Sequence, residues 1–201
     1  MTAGFLLVPG GGRHHPIPMR LLLVLLLFAA GPALAQGRAE ARRAELDQFF
    51  VALKAAPTEA AAAELEAKIR LGWQQAGSPA VLLLLNRGAA DLEAGDANAA
   101  LDDMDSALVL APDDAEAWLA RALAKFHAGD YPGAIRDIEA TLQREPRQFV
   151  ALQTLSRIAE AQGDWKGALA AWQKVLELDP RTPKGQDRLQ MLQRKAFGER
   201  T

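Results

Sequence analysis

The sequence predicts an all-α fold built from repeated helical hairpins, and three observations carry that prediction. Half of the 201 residues are hydrophobic but only 6% are aromatic, so small and aliphatic residues supply the apolar bulk. Alanine and leucine lead the helix scale, and the β-branched residues that favour strands are sparse. Apolar side chains recur at the three-and-four spacing of a buried helix face. Finally, a set of markers recurs every 34 residues: Gly95, Gly129 and Gly163, each followed by an aspartate (Asp96, Asp130, Asp164). Ala100, Ala134 and Ala168 keep the same interval, as do Leu108, Leu142 and Leu176, and Pro112, Pro146 and Pro180.

Composition also excludes whole classes of function. With no cysteine, the chain has no disulfide, zinc–thiolate site, iron–sulfur cluster or cysteine nucleophile. A formal net charge of −2 is not that of a nucleic-acid binder, which would carry a basic face.

The first element is a leader. Met19-Arg20 precedes the apolar run Leu21 to Ala30, then Gly31-Pro32 and Ala33-Leu34-Ala35. A basic start, a short apolar core and a small-x-small ending form the secretory pattern, with cleavage expected after Ala35. The run is too short for a membrane span, which needs roughly 20 apolar residues. Residues 1–18, with Gly10-Gly11-Gly12 and His14-His15, are unlike a signal start, so translation is expected to begin at Met19. Without Arg13 and Arg20, the mature chain keeps 21 of its 23 basic residues against 25 acidic ones, a net charge of −4. Its expected location is periplasmic or secreted.

Residues 36–80 read as an N-terminal helical pair or degenerate repeat capping the stack. Arg38 to Ala56 carries Leu46, Phe49, Phe50 and Leu53 at helical spacing, and Pro57-Thr58 divides it from a second helix. That helix runs from about Glu59 to Gln75 with Leu65, Ile69 and Trp73 on one face, before Gly77-Ser78-Pro79 breaks the chain.

Three repeat units follow over residues 81–182: Val81 to Asp114, Ala115 to Gln148, and Phe149 to Thr182. In each, the glycine ends a first helix by taking the left-handed conformation, and the next aspartate caps a second helix. The proline ends that second helix. Small residues on the first helices (Gly88, Ala122, Ser156) are expected to face Ala100, Ala134 and Ala168, drawing the two helices together. Leu84, Trp118, Leu152, Met104, Ile138 and Trp172 are expected to fill the core between layers. Residues 183–201 supply a capping helix, Gly185 to Phe197, with Leu189, Leu192 and Ala196 inward.

This pattern resembles the tetratricopeptide repeat family, of the exported bacterial type. The second unit carries it most fully: Ala117-Trp118, Ala122, Gly129-Asp130-Tyr131, Ala134 and Pro146. Where the family has leucine before the small residue, the first two units have Arg87 and Arg121, and only the third keeps Leu155. The usual tyrosine is replaced by Asp91, Lys125 and Ala159. The resemblance implies a right-handed superhelical α-solenoid with helical caps, whose first helices line a concave groove.

On that geometry the partner-binding surface comprises Leu85 and Leu92 in the first unit, with Leu82, Ala89 and Glu93 beside them. Leu119, Leu123, Phe126 and His127 follow in the second, with Glu116. The third contributes Arg157, the groove's one evident cation, among Val150, Gln153, Glu160 and Ala161. Family members that grip chaperone carboxylates use several lysines, asparagines and arginines here, and only Asn86 matches. The expected partner is another envelope protein or peptide, with no nucleic acid and no stable membrane span. The alternative is a self-associating solenoid, a homo-oligomer or one whose groove is filled by its own N-terminal helix.

Catalysis is not expected. The sequence has no HExxH, G-x-S-x-G or phosphate-cradling glycine loop. His127 stands alone in the mature chain, and Asp102, Asp103 and Asp105 sit mid-helix, where a solvated face is the simpler reading than a calcium loop. No cofactor or metal is expected.

Overall fold

A computed structural model describes residue 37 and residues 39–198; the expected leader, its cleavage point and His14-His15 lie outside these residues. The chain divides into two units, Met1–Ala41 and Arg42–Thr201, and the packing below belongs to the second. Every regular element among the described residues is a helix. In order they are α1 (39–54), α2 (Glu59–Gln74), α3 (Pro79–Glu93), α4 (Ala97–Leu110), α5 (Ala115–His127), α6 (Tyr131–Arg144), α7 (Phe149–Ala161), α8 (Trp165–Leu178) and α9 (Gly185–Phe197). None of them is long and apolar enough to cross a membrane.

The hairpin turns follow from two residues. Gly95, Gly129 and Gly163 adopt φ of +84°, +79° and +75°, a region that costs any residue with a Cβ. The N–H of the following aspartate returns to the carbonyl five residues back: Asp96 to Asp91, Asp130 to Lys125 and Asp164 to Ala159, at 2.8–2.9 Å. This closes the last turn of the first helix. The aspartate side chain then accepts from the N–H of Ala99, Gly133 or Gly167 at 3.0, 2.9 and 2.9 Å, capping the second helix.

Small residues hold each hairpin together. Gly88 and Ala100, Ala122 and Ala134, and Ser156 and Ala168 are all buried. A Cβ on Gly88 would stand 3.1 Å from the Ala100 carbonyl oxygen, and Ser156 Oγ donates to the Ala168 carbonyl at 2.9 Å. Met104, Ile138, Leu152 and Trp172 fill the layers around these contacts, each burial being worth about 1.5–3 kcal/mol for an aliphatic side chain. Leu84 and Trp118 are only half-buried. Trp118 lies instead between the guanidinium groups of Arg121 and Arg144, 4.8 and 5.1 Å from its ring, and its Nε1 donates to the Pro112 carbonyl at 2.8 Å.

The first helices α3, α5 and α7 touch one another in sequence, and each second helix packs on the first helix of the next unit. That order places α3, α5 and α7 along a common inner face. At the far end α9 covers α8: Leu192 is buried, Trp172 Nε1 donates to the Gly185 carbonyl at 2.9 Å, and Arg188 pairs with Glu160.

The N-terminal hairpin takes another course. Leu46, Phe50, Leu53, Ile69 and Trp73 form one apolar cluster with Phe149, Val150 and Leu178, the start of α7 and the end of α8. Its apolar face therefore docks on the turns that lead from second to first helices. Trp73 lies between Phe50 and Phe149, with ring centroids 5.8 and 5.2 Å from each. Polar ties run alongside: Trp73 Nε1 to Glu145 at 3.3 Å, Arg147 to Asp47 at 2.6 Å, and Arg181 Nε to the Ala56 carbonyl at 3.3 Å.

Candidate functional site

The inner face of the first helices carries a cavity of about 340 Å³ between α2, α3 and α5. Leu82, Leu85 and Ala89 of α3 form one wall, and Glu116, Leu119 and Ala120 of α5 the second. The third wall comes from Leu71, Gln74 and Gln75, at the end of α2. These three were outside the sequence-predicted surface. Leu71 lies off the face that carries Ile69 and Trp73, and its 53% exposure is the signal that α2 has a second apolar side.

The sequence-predicted residues separate into three groups. Leu85 and Leu119 meet in this cavity, with Leu82, Ala89 and Glu116. Leu92 and Leu123 are half-buried and pack into the interhelical core, Leu92 against the cluster of Met104 and Ala124, and Leu123 against that of Ala122, Ile138 and Ile158. Phe126, His127 and Arg157 lie together elsewhere on the face. The Arg157 guanidinium sits 4.8 Å over the Phe126 ring, which also meets Tyr131 at 5.9 Å and His127 at 5.5 Å. Arg157 is thus already occupied by a cation–π contact within the chain. α2, rather than α1, is the N-terminal helix that borders Leu85 and Leu119, whereas Leu123 and Phe126 are flanked by residues of the third unit.

Glu116 is the cavity's unusual group. It stands in the first turn of α5, where Asp114 caps the helix by accepting the N–H groups of Glu116 and Ala117 at 2.8 and 3.3 Å. One Glu116 oxygen accepts from Gln148 Nε2 at 2.6 Å. Burial pushes its carboxyl up to about 7, against the lowering effect of the Gln148 hydrogen bond and with further upward pressure from Asp114 and Glu145. Glu66, on α2, is likewise pushed up to about 7, first by burial and then by its hydrogen bond with Asp179.

The aspartate run on α4 is not a uniformly solvated face. Asp103 is buried and paired with Arg87, and Asp105 meets Arg121 at 2.6 Å. Among the described residues no cluster of histidine, aspartate or glutamate is arranged to hold a metal ion.

Helical hairpins of fixed length, joined first helix to first helix along one face, define a helical-repeat protein. Family models described as tetratricopeptide repeat match residues 87–161 and 149–182. The chain is 34% identical over 112 residues to a TPR repeat-containing protein of Rhizobium etli, a match covering 53% of this chain and 55% of the relative. It therefore spans about half the length of the curated relative it matches. Among solved structures, the Sgt2 TPR domain of Aspergillus fumigatus aligns at a TM-score of 0.55 and 25% identity, covering 59% of this chain and 80% of the other. The first TPR of Spaghetti bound to the HSP90 peptide SRMEEVD aligns at 0.55 and 20% identity, over 58% and 93%. The TPR2B-domain:pHsp70 complex of yeast Sti1 aligns at 0.53 and 21%, over 61% and 100%. The last two likenesses concern the fold.

Proposed function

We propose that this protein is a non-catalytic adaptor, exported to the periplasm, that holds an extended segment of another envelope protein against the inner face of α3, α5 and α7. The observation that carries this is the cavity where Leu85 and Leu119 meet the end of α2: a preformed, half-apolar site of ligand-binding size. Tetratricopeptide domains of the same fold are known in complex with peptides, the HSP90 peptide on Spaghetti and pHsp70 on TPR2B. Export rests on the leader pattern, and sequencing of protein recovered from the envelope should begin at Gln36.

Binding is tested by placing a photo-crosslinking residue at Ala89, on the cavity rim, or at Val109, 83% exposed on α4. Envelope protein should crosslink to position 89 and not to 109; equal crosslinking at both would remove the inner face as the binding surface. The second reading, a self-associating solenoid, draws on the end of α2 closing one side of the cavity. It expects crosslinks from position 89 to a sister chain, and a dimer by light scattering.

A further inference from the structure

The cavity between α2, α3 and α5 has a charge as well as a shape. Its walls combine Leu71, Leu82, Leu85 and Leu119 with two carboxylates, Asp114 and Glu116, and no lysine or arginine lines it. We infer that this cavity receives the side chain of a lysine or arginine from an extended peptide, the aliphatic stem against the leucines and the charged head against Asp114 and Glu116. The inference rests on the adaptor reading and adds to it the class of segment that is held.

Several features make a cation the complementary occupant. A long basic side chain has an apolar stem and a charged tip, which matches leucine walls with carboxylates at one end. Three donors at the start of α5 are already taken: Asp114 Oδ1 accepts from Glu116 and Ala117, and the Asp114 carbonyl from Trp118. An acidic ligand at this helix end would also face the Asp114 carboxylate. Glu116 gives only one oxygen to a hydrogen bond, with Gln148. The groups around it are Asp114 on the α4–α5 turn, Glu145 on the α6–α7 turn and Arg70 on α2. Arg70 is the one cation of these, and it is turned to Glu66 at 2.6 Å and to the Phe149 ring at 5.1 Å. The local balance is negative. An arriving ammonium or guanidinium would draw the Glu116 carboxyl, held up to about 7 in the free protein, into its ionised form and release a proton.

The test uses the immobilised full chain and three pools of degenerate decapeptides, identical except for a fixed central arginine, leucine or glutamate. Retention of the arginine pool should exceed that of the glutamate pool roughly tenfold, the scale of one charge-assisted contact. It should also strengthen from pH 6 to pH 8. Glu116→Gln, which keeps the shape and the Gln148 contact, should remove both the arginine preference and the pH dependence while leaving the leucine pool unchanged. Ala89→Arg, an exposed rim position that supplies the chain's own cation, should abolish arginine-pool retention without lowering the melting temperature. Retention of all pools alike, or preference for glutamate, overturns the charge assignment and leaves the adaptor reading standing. Retention of none overturns both.

Discussion

In the second repeat, Arg121 of α5 and Asp137 of α6 meet at 2.8 Å with side chains only 19% and 4% exposed, and Lys125 joins the same carboxylate at 2.8 Å. Thirty-four residues on, the third repeat puts Leu155 and Ala171 at these positions, with Ala159 in place of Lys125. Leu155 packs with Ala151 and Ile158, and Ala171 is buried. The backbone course is the same in both. The hairpin is therefore set by the glycine–aspartate turn and the small-residue contact, which all three repeats share. The remaining interhelical positions can hold an ion pair or an apolar pair. The choice is made as a set: an arginine on the first helix comes with an aspartate on the second, as Arg87 with Asp103 and Arg121 with Asp137. A leucine comes with an alanine.

The largest expected effect breaks the ionic version. Asp137→Ala leaves Lys125 without its carboxylate and Arg121 with only the exposed Asp105, and should cost about 3–5 kcal/mol in chemical denaturation. The triple variant Arg121→Leu, Lys125→Ala and Asp137→Ala copies the third repeat and should recover most of that loss, since replacing all the partners of a buried ionic group is often close to neutral. A triple variant as unstable as the single one would show that the two arrangements are not interchangeable. Asp137 also gives the second repeat an acid limit. Burial alone would raise its carboxyl, but the hydrogen bonds from Arg121 and Lys125 outweigh it and hold the group below the usual range. Its stabilisation is present above the unfolded value of 3.8 and is lost as pH falls through the lower folded value.

A second contrast lies at the start of the first helices, where Glu116 in the second repeat corresponds to Val150 in the third. Burial keeps the folded Glu116 carboxyl protonated up to about 7, against 4.5 unfolded. Its contribution is therefore fully present below pH 4.5 and lost as pH rises through about 7. Glu116→Gln should flatten this dependence. At pH 8 it should be more stable than the parent by roughly 3 kcal/mol, since each tenfold change in proton affinity on folding is worth about 1.36 kcal/mol. Equal pH profiles for the two proteins would show that Glu116 does not titrate within the fold.

The shared frame can be tested where the repeats agree. Ala134→Leu overpacks the contact with Ala122 and should cost about 1–3 kcal/mol, whereas Ala60→Leu, exposed on α2, should leave the melting temperature unchanged. Equal melting temperatures would mean that the small-residue contact does not set the hairpin. The smallest effect is expected in the first repeat. The Arg87 side chain is 62% exposed, so Asp103→Ala should lower the melting temperature less than Asp137→Ala does.

The sequence alone determined the helices and their turns, because those depend on neighbours close along the chain. A glycine that takes positive φ, an aspartate that caps, and a proline that stops a helix act within a few residues, so Gly95-Asp96, Gly129-Asp130 and Gly163-Asp164 could be read directly. The burial of Ala100, Ala134 and Ala168 follows from the same 34-residue register, and the span of α9 from its own amphipathic spacing. What tertiary structure alone decided is where distant segments meet. Arg87 and Arg121 depart from the family pattern, and their partners stand 16 residues away across the hairpin. The N-terminal pair carries an apolar face in its sequence, but any exposed apolar surface could have received it. The choice of Phe149, Val150 and Leu178 depends on the turns of the second and third repeats lying side by side. Leu71 belongs to the cavity, and Glu116 is held near neutrality, for that reason: burial and the approach of other charges are properties of packed neighbours, and linear sequence does not record them.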